Sequence, residues 1–248
     1  MSKKIPPLFF LLLLHSLAQA DSVPGAAGSI EITTLLHAGV QLEYRGTVVQ
    51  VDPWDRLRLP DAKPADLILI SDDPGHHLDV DAIERLRKPG ASVVLTAAGK
   101  QKWPDGIVVA NGETVRVAGV TVESIAAYDI IQGNPSHPKG DANGYVVTLG
   151  GKKFFFAGVT ECVDEVKALQ GIDVAFMPMN IPLARMTPAA AAACTLGLNP
   201  AVVYLYHYDQ DYARRAQQPD YVGTGSLPDG LTVAESLDRF AEALDGSG

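Results

Sequence analysis

Histidine side chains concentrate in the predicted loops of this 248-residue chain, where they could bind a metal ion or transfer protons. The chain has six histidines, of which His15 lies in the N-terminal apolar segment and His37 follows the first predicted strand. The other four lie in loops at the ends of later strands: His76, His77, His137 and His207. Neutral imidazole is the commonest metal ligand among protein side chains. Because α/β folds place their functional sites at the ends of strands, the pattern predicts a functional site that includes these loops.

Each of these histidines also has an ordinary structural interpretation. His76 and His77 could be solvated side chains of an exposed loop, and His137 could be part of a turn. His207 could be a hydrogen-bonded histidine at the edge of the core. The residue types alone leave both interpretations open.

Two carboxylates are candidate catalytic groups. Asp72 could act in or beside the metal site, or it could accept backbone N–H groups of its own loop, as Asp does in Asx turns. Glu161 could be a general base, or a first-turn residue placed favourably at a helix N-terminus.

The elements that must position these side chains alternate along the chain. Strands are predicted at 30–36, 40–44, 47–52, 66–71, 92–96, 113–117, 121–127, 144–149, 152–157, 172–176 and 201–206. Helices are predicted at 79–87, 162–169 and 187–197, and a tail helix opens with the capping-box pair Thr232 and Glu235. The order divides into two halves of similar plan with no Pro/Ser-rich linker between them. We therefore expect one α/β domain over residues 21–248, with stacked sheets and outer helices.

Several segments, in this order and spacing, resemble the metallo-β-lactamase superfamily, closest to its lactonase-like branch of metal-dependent hydrolases. The resemblance covers about residues 30–210. It is carried by His37-Ala-Gly39, Val51-Asp-Pro-Trp54, Ala65-Asp-Leu-Ile-Leu-Ile-Ser71, Asn143-Gly-Tyr-Val-Val147, Phe156-Ala-Gly158, Asp173-Val-Ala-Phe-Met-Pro-Met179, Met186-Thr-Pro188 and Tyr206-His-Tyr208. The resemblance implies an α/β fold, the αββα four-layer sandwich, with up to two zinc ions that activate water at the edge of the sheets.

The metal motif departs from the family pattern. Where the family has His-x-His-x-Asp-His, this chain has Asp72, Pro74, His76 and His77. The family's Gly-Asp-Thr motif, whose Asp bridges the metals, stands here as Gly158-Val-Thr160. Proline and valine side chains have no ligand atom, so the resemblance implies at most one Zn²⁺ ion.

The remaining ligand positions can be assigned in part. His207 matches the last ligand of the family. The family also takes a ligand from a third loop, and in this chain that residue could be His137 or Asp129. Three imidazoles, from His76, His77 and His207, would suit a zinc ion with an open fourth position for water.

Composition and motifs exclude several other functions. The chain carries a net charge of −9, so it lacks the basic surface that nucleic-acid binding requires. No P-loop motif is present, and Ser226 does not lie in a Gly-x-Ser-x-Gly nucleophile elbow.

The first twenty residues have the features of a secretory signal peptide. Lys3 and Lys4 precede the apolar run from Leu8 to Leu14, and Ala18-Gln-Ala20 is a small-x-small cleavage site. The run is too short to cross about 30 Å of hydrocarbon. We therefore expect a periplasmic or secreted product that has no membrane attachment after cleavage. In such a compartment Cys162 and Cys194 could form a disulfide, or they could remain two buried thiols.

Two functions remain. In the first, the protein is an exported hydrolase with a single-metal site that acts on a small ester, lactone or phosphate ester. In the second, it is a catalytically inactive family member that binds a small molecule or serves as a scaffold. The sequence chooses neither the substrate nor the oligomeric state.

Overall fold

The computed structural model describes residues 21–54, 61–133, 135–181, 185–208 and 231–246. Within them, the first half of the chain forms a seven-stranded sheet in the order β1-β2-β3-β4-β5-β6-β7. The strands from β1 to β4 pair antiparallel, and those from β4 to β7 pair parallel. They are β1 (Asp21–Gly25), β2 (Gly28–Thr34), β3 (Val40–Tyr44), β4 (Thr47–Val51), β5 (Ala65–Leu69), β6 (Arg87–Leu95) and β7 (Ile107–Val108).

The second half forms a six-stranded sheet in the order β13-β12-β11-β10-β9-β8, again among the described residues. The strands from β8 to β11 pair antiparallel, and β11, β12 and β13 pair parallel. They are β8 (Thr114–Val117), β9 (Val120–Ala127), β10 (Ala142–Leu149), β11 (Lys152–Phe156), β12 (Val174–Pro178) and β13 (Val202–Tyr206). The division of the chain into two halves of similar plan is therefore confirmed.

The described helices cover the outer faces of the two sheets. Helix α1 (Val80–Leu86) packs through Ile83 and Leu86 on the first sheet. On the second sheet lie α2 (Asp164–Lys167), α3 (Pro188–Leu198) and α4 (Val233–Asp245). Between the sheets is an apolar core that includes Leu42, Val49, Leu67, Tyr145, Phe156 and Phe176. The layers are thus αββα, as the sequence predicts.

Local signals in the sequence explain where several elements begin. Asp79 is the N-cap of α1, and its side chain accepts a hydrogen bond from Ala82 N. Thr187 caps α3, in which Pro188 takes the first position, where a missing N–H costs nothing. Thr232 and Glu235 form the predicted capping box of α4.

Other predictions of secondary structure were wrong or incomplete. The predicted helix 162–169 is only α2, because Cys162 precedes the helix and its N-cap Val163 offers no capping side chain. Pro89 and Gly90 fall between the predicted helix 79–87 and the predicted strand 92–96, but they lie inside β6, where the pairing with β5 is irregular. Strand β1 and the two-residue strand β7 were not among the predicted strands.

A disulfide joins Cys162 to Cys194, across 32 positions of the chain. It settles the alternative that the sequence left open, in favour of the disulfide over two buried thiols. The bond connects the loop after β11 to the middle of α3. The predicted signal peptide, residues 1–20, lies outside the described residues. Among the helices that the structure describes, none has the length and apolarity to span a bilayer.

Candidate metal centre

Four histidines converge at one end of the sandwich. His37 lies in the turn between β2 and β3, His76 and His77 lie in the loop between β5 and α1, and His207 follows β13. One ring nitrogen from each of the four lies within 4.8 Å of the others. The structure therefore brings together the three predicted ligands His76, His77 and His207, and it adds His37.

The backbone places His37 and His207 in an uncommon conformation. Both have positive φ, 61° for His37 and 59° for His207, which is a conformation that few residues other than glycine adopt. His207 N donates to the carbonyl of His37 at 3.3 Å, so the two turns are joined. This contact also connects the two sheets, because His37 belongs to the first and His207 to the second.

Pro74 shapes the loop that carries His77. Its carbonyl oxygen accepts hydrogen bonds from His77 N and Leu78 N, each at 2.8 Å. The loop then leads to Asp79, the N-cap of α1. Pro74 thus fixes the path of the backbone at a position where its side chain offers no ligand atom.

Asp52 orients the ring of His77. Its carboxylate lies 2.8 Å from His77 Nδ1, and it accepts hydrogen bonds from both the backbone N–H and the hydroxyl of Ser71. The carboxylate and the imidazole are fully buried. A carboxylate on one ring nitrogen fixes the tautomer and directs the other nitrogen at a metal. The other nitrogen, His77 Nε2, lies 3.1 Å from His207 Nε2.

The pKa values of His76 and His207 are lowered, whereas the pKa of His77 is raised. Burial, together with the nearby imidazoles of His37, His77 and His76, lowers the pKa of His207 well below its usual value. Burial and the neighbouring His77 lower the pKa of His76 to about 4. Burial also acts against a charge on His77, but the carboxylate of Asp52 outweighs it and raises the pKa. His76 and His207 are therefore neutral at pH 7, as metal ligation requires.

The geometry of the four side chains fits a metal ion. Zinc–nitrogen bonds of about 2.0–2.1 Å in a tetrahedron place neighbouring nitrogens about 3.3 Å apart. The distance between the Nε2 atoms of His77 and His207 is 3.1 Å. A buried pair of imidazole nitrogens this close needs a shared proton or a cation between them.

His137 belongs to a second polar cluster rather than to the four-histidine group. Its Nε2 lies 3.2 Å from Asp72, and its Nδ1 lies 3.5 Å from Asp129 and 3.1 Å from Arg185 Nη1. Arg185 also forms an ion pair with Asp129. The predicted third-loop residues His137 and Asp129 are thus engaged with each other, with Asp72 and with Arg185.

A family model described as a β-lactamase superfamily domain matches residues 31–207, more than half of the chain. The chain belongs to the β-lactamase superfamily. A Pyrococcus abyssi protein named a metal-dependent hydrolase is 31% identical over 196 residues, which cover 73% of this chain and 85% of the relative. A Thermus thermophilus protein of the same description is 29% identical over 224 residues, covering 80% of this chain and 96% of that protein.

Solved structures of the superfamily share the fold. A proposed metal-dependent hydrolase from Parabacteroides distasonis has a TM-score of 0.70 and 31% identity, and the match covers 87% of this chain and 94% of that one. A metallo-hydrolase from Ignicoccus hospitalis has a TM-score of 0.65 at 19% identity, covering 88% and 91% of the two chains. The second likeness concerns the fold alone.

At the superfamily motif positions the structure shows what replaces the usual ligand types. Val159, in the Gly-Val-Thr segment, is buried in a small apolar cluster with Ala127 and Ala142. Asp72, at the first motif position, is turned to His137, and this hydrogen bond and the nearby His77 lower its pKa despite burial.

Glu161, the second candidate catalytic residue, binds backbone. Its carboxylate accepts hydrogen bonds from Ile130 N at 2.6 Å and Ile131 N at 3.1 Å. Its own N–H donates to the carbonyl of Tyr128 at 3.1 Å. These contacts fix the start of the loop that carries Asp129 and His137, so the geometry gives Glu161 a positioning part. Its predicted role as a general base stays a prediction.

Two cavities adjoin the histidines of this β-lactamase superfamily member. One, of about 190 Å³, has His76 and His207 on its wall together with His137 and Arg185 from the second polar cluster. Pro74 and Val159 line this cavity as well. The other, of about 360 Å³, is lined by His37 and His207 and by the tyrosines 204, 206 and 208. A small molecule in the first cavity would lie between the imidazoles and the guanidinium of Arg185.

Sequence reasoning missed His37 as a member of the cluster. Its position directly after a predicted strand was visible, and so was its place in the segment His37-Ala-Gly39. The missing information was spatial, because the turn between β2 and β3 approaches β13 only after the two sheets stack.

Proposed function

We propose that the chain is an exported hydrolase that uses one metal ion, held by imidazoles that include His76, His77 and His207, to cleave a small ester, lactone or phosphate ester. The observation that carries the proposal is the 3.1 Å approach of His77 Nε2 and His207 Nε2, two buried nitrogens from different sheets. Membership of a superfamily whose relatives are named metal-dependent hydrolases supports it.

The donor set suits zinc. Imidazole is a good ligand for zinc, copper, iron and nickel, whereas magnesium, calcium and manganese prefer oxygen ligands. A zinc ion held in this way would lower the pKa of water to about 7 and polarise a carbonyl or phosphoryl oxygen.

The chain's own residues have separate parts in this proposal. Asp52 holds the ring of His77 with Nε2 directed inward. Asp72 and Asp129 hold His137 at the wall of the 190 Å³ cavity, beside Arg185. In this position His137 and Arg185 would face the part of a substrate that points away from the metal. The wall of this cavity also includes apolar side chains that would limit the access of water, namely Pro74, Val159 and Ile181.

The experiment is hydrolysis of a panel of small esters, lactones and phosphate monoesters by untagged protein starting at residue 21. We expect activity on one class, loss of that activity on chelation, and recovery with added zinc. His207→Ala should abolish the activity and the zinc dependence together. Activity that survives both chelation and His207→Ala would contradict the proposal.

Export has its own support and its own test. A disulfide is typical of proteins outside the cytosol, and the structure contains the Cys162–Cys194 bond. We expect the full chain, expressed in a Gram-negative host, to appear in the periplasm or medium without residues 1–20. A variant in which Leu11 and Leu12 are replaced by Arg should stay in the cytosol. Accumulation of the unaltered full-length chain in the cytosol would contradict export.

One observation favours a second function, a binding protein without catalysis. The buried cluster of Val159, Ala127 and Ala142 fills with apolar atoms a segment where the superfamily pattern has a bridging carboxylate. A protein that binds zinc and hydrolyses no member of the panel would support this alternative.

A further inference from the structure

The geometry of His37 relative to the other three histidines is the starting point. The six distances between the four ring centres run from 4.0 Å for the pair His37–His207 to 5.9 Å for the pair His37–His77. Four imidazoles around one zinc ion, with bonds of about 2.0–2.1 Å, place their ring centres about 5 Å apart. The observed distances scatter around that value.

We propose that His37 is a fourth ligand, so that the site is a four-imidazole centre for a single late first-row metal ion. The inference rests on the metal site of the proposed function, and it changes the ligand set of that site. The sequence predicts three imidazoles and an open position, whereas the structure offers four nitrogens.

The backbone holds His37 in place from two sides. The carbonyl of His37 accepts the N–H of His207, and within the turn Leu35 N donates to Gly39 O and Gly39 N to Leu36 O, both at 2.8 Å. A Cβ at Gly39 would lie 2.9 Å from the carbonyl oxygen of Leu36, so a larger residue would open this turn. The tight turn and the left-handed φ together keep the His37 ring 4.0 Å from that of His207.

The donor set contains no carboxylate among the four. Asp52 acts through His77 Nδ1, and Asp72 is engaged with His137. An all-nitrogen set suits cobalt, nickel, copper and zinc, and it disfavours magnesium and manganese, which prefer oxygen. Four protein ligands also complete the tetrahedron of a zinc ion. Hydrolysis at this centre would then need a fifth coordination position, which catalytic zinc sites sometimes gain in the transition state.

Cobalt substitution tests the fourth ligand without any substrate. Untagged protein from residue 21, freed of metal, is titrated with Co²⁺, and the visible absorption is recorded, since four-coordinate Co²⁺ absorbs far more strongly than six-coordinate Co²⁺. We expect one equivalent to bind with intense bands. His37→Asn should weaken cobalt affinity at least tenfold and reduce the band intensity, and Asn tolerates the left-handed φ of this position.

The control is His137→Ala, which removes a histidine of the second polar cluster and should leave the cobalt spectrum and affinity unchanged. A spectrum and affinity in His37→Asn equal to those of the unaltered protein would overturn the fourth ligand. If His207→Ala still abolished binding in that case, the proposed function would stand while this inference failed. Absence of cobalt binding in the unaltered protein would contradict both.

Selectivity gives a second readout. Zinc should raise the midpoint of thermal unfolding of the metal-free protein, whereas Mg²⁺ or Mn²⁺ at the same concentration should not, because a ligand of the folded state stabilises it. Binding of Mn²⁺ as tight as that of zinc would contradict a four-imidazole set.

Discussion

Asp52 is one of the residues that decide whether the imidazoles can share an ion. It contacts His77 Nδ1 and both donor groups of Ser71, from a left-handed backbone conformation with φ of 42°. The proton of His77 is thereby held on Nδ1, which leaves Nε2 available to a metal. The same carboxylate also ties the end of β4 to the loop that carries His76 and His77.

The substitution Asp52→Asn tests this role. An amide can donate to His77 Nδ1, and it would then move the ring proton to Nε2, which faces His207. We expect zinc affinity to fall 10–100-fold, the usual effect of losing such a partner. Competition with a chromophoric chelator measures the change. Asp173→Asn, which removes the charge of a carboxylate bound to Lys152 and to Lys153 N, is the matched control and should leave affinity unaltered.

Arg185 balances buried carboxylates. Asp72 and Asp129 are both buried, and Arg185, itself buried, pairs with Asp129 and contacts His137. Arg185→Ala should therefore cost about 3–5 kcal/mol of unfolding free energy, as removal of one member of a buried ion pair does. Chemical denaturation measures the loss, and adding Asp129→Asn should recover part of it. An Arg185→Ala protein as stable as the unaltered chain would contradict the role of Arg185 in neutralising the buried carboxylates.

At the scale of elements, the loop before α1 depends on its cap. Asp79 accepts from Ala82 N and stands two residues after His77. Asp79→Ala should lower stability by about 1 kcal/mol, the usual effect of losing an N-cap, which corresponds to about 2–4 °C in Tm for a chain of this size. Asp79→Ser keeps a capping oxygen and should lie close to the unaltered protein in the same thermal scan. Equal Tm values for Asp79→Ala and Asp79→Ser would contradict a capping role of the Asp79 side chain.

The Cys162–Cys194 bond joins two elements that frame the second polar cluster. Cys162 follows Glu161, which fixes the loop of Asp129, and Cys194 lies in α3, which begins three residues after Arg185. Replacing both cysteines by Ala should lower the unfolding free energy by about 2–5 kcal/mol. Zinc stoichiometry should stay the same, because the four histidines lie on other segments. Loss of zinc binding in the double variant would contradict the expectation that the disulfide does not contribute to the metal site.

Strong local patterns made most elements predictable from the sequence. The caps Asp79, Thr187 and Thr232 mark helix starts. Gly150-Gly151, between the predicted strands 144–149 and 152–157, forms a two-residue hairpin loop with φ of 57° and 79°. Two strands with weak sequence patterns, β1 and β7, could not be predicted. Strand β7 has only two residues, and β1 is stabilised by pairing with β2 rather than by its own composition, Asp-Ser-Val-Pro-Gly.

At the scale of the whole molecule, the site is a product of the stacking of two sheets. His37, His76 and His77 belong to the first sheet and His207 to the second, so the approach of His77 to His207 joins residues 130 positions apart. The histidine-bearing loops could be predicted, because they follow strands that end at the same edge. The hydrophobic periodicity of a sequence gives no information about distances between sheets. The sequence therefore could not show that His37 belongs to the four-histidine group or that His137 lies outside it.

This arrangement means that a bound ion would connect the two halves of the sandwich. The four imidazoles would be neutral donors to such an ion, and one ring nitrogen from each lies within 4.8 Å of the others. We therefore expect one metal ion per chain to bind where the sheets meet.

Elemental analysis of the purified protein measures whether this ion is present. The protein from residue 21 is purified without a histidine tag from zinc-supplemented medium, dialysed, and its metal content is divided by the protein concentration. We expect close to one equivalent of zinc or a similar late transition metal per chain, and none in His207→Ala. Protein without metal, or a His207→Ala variant that keeps its full equivalent, would contradict it.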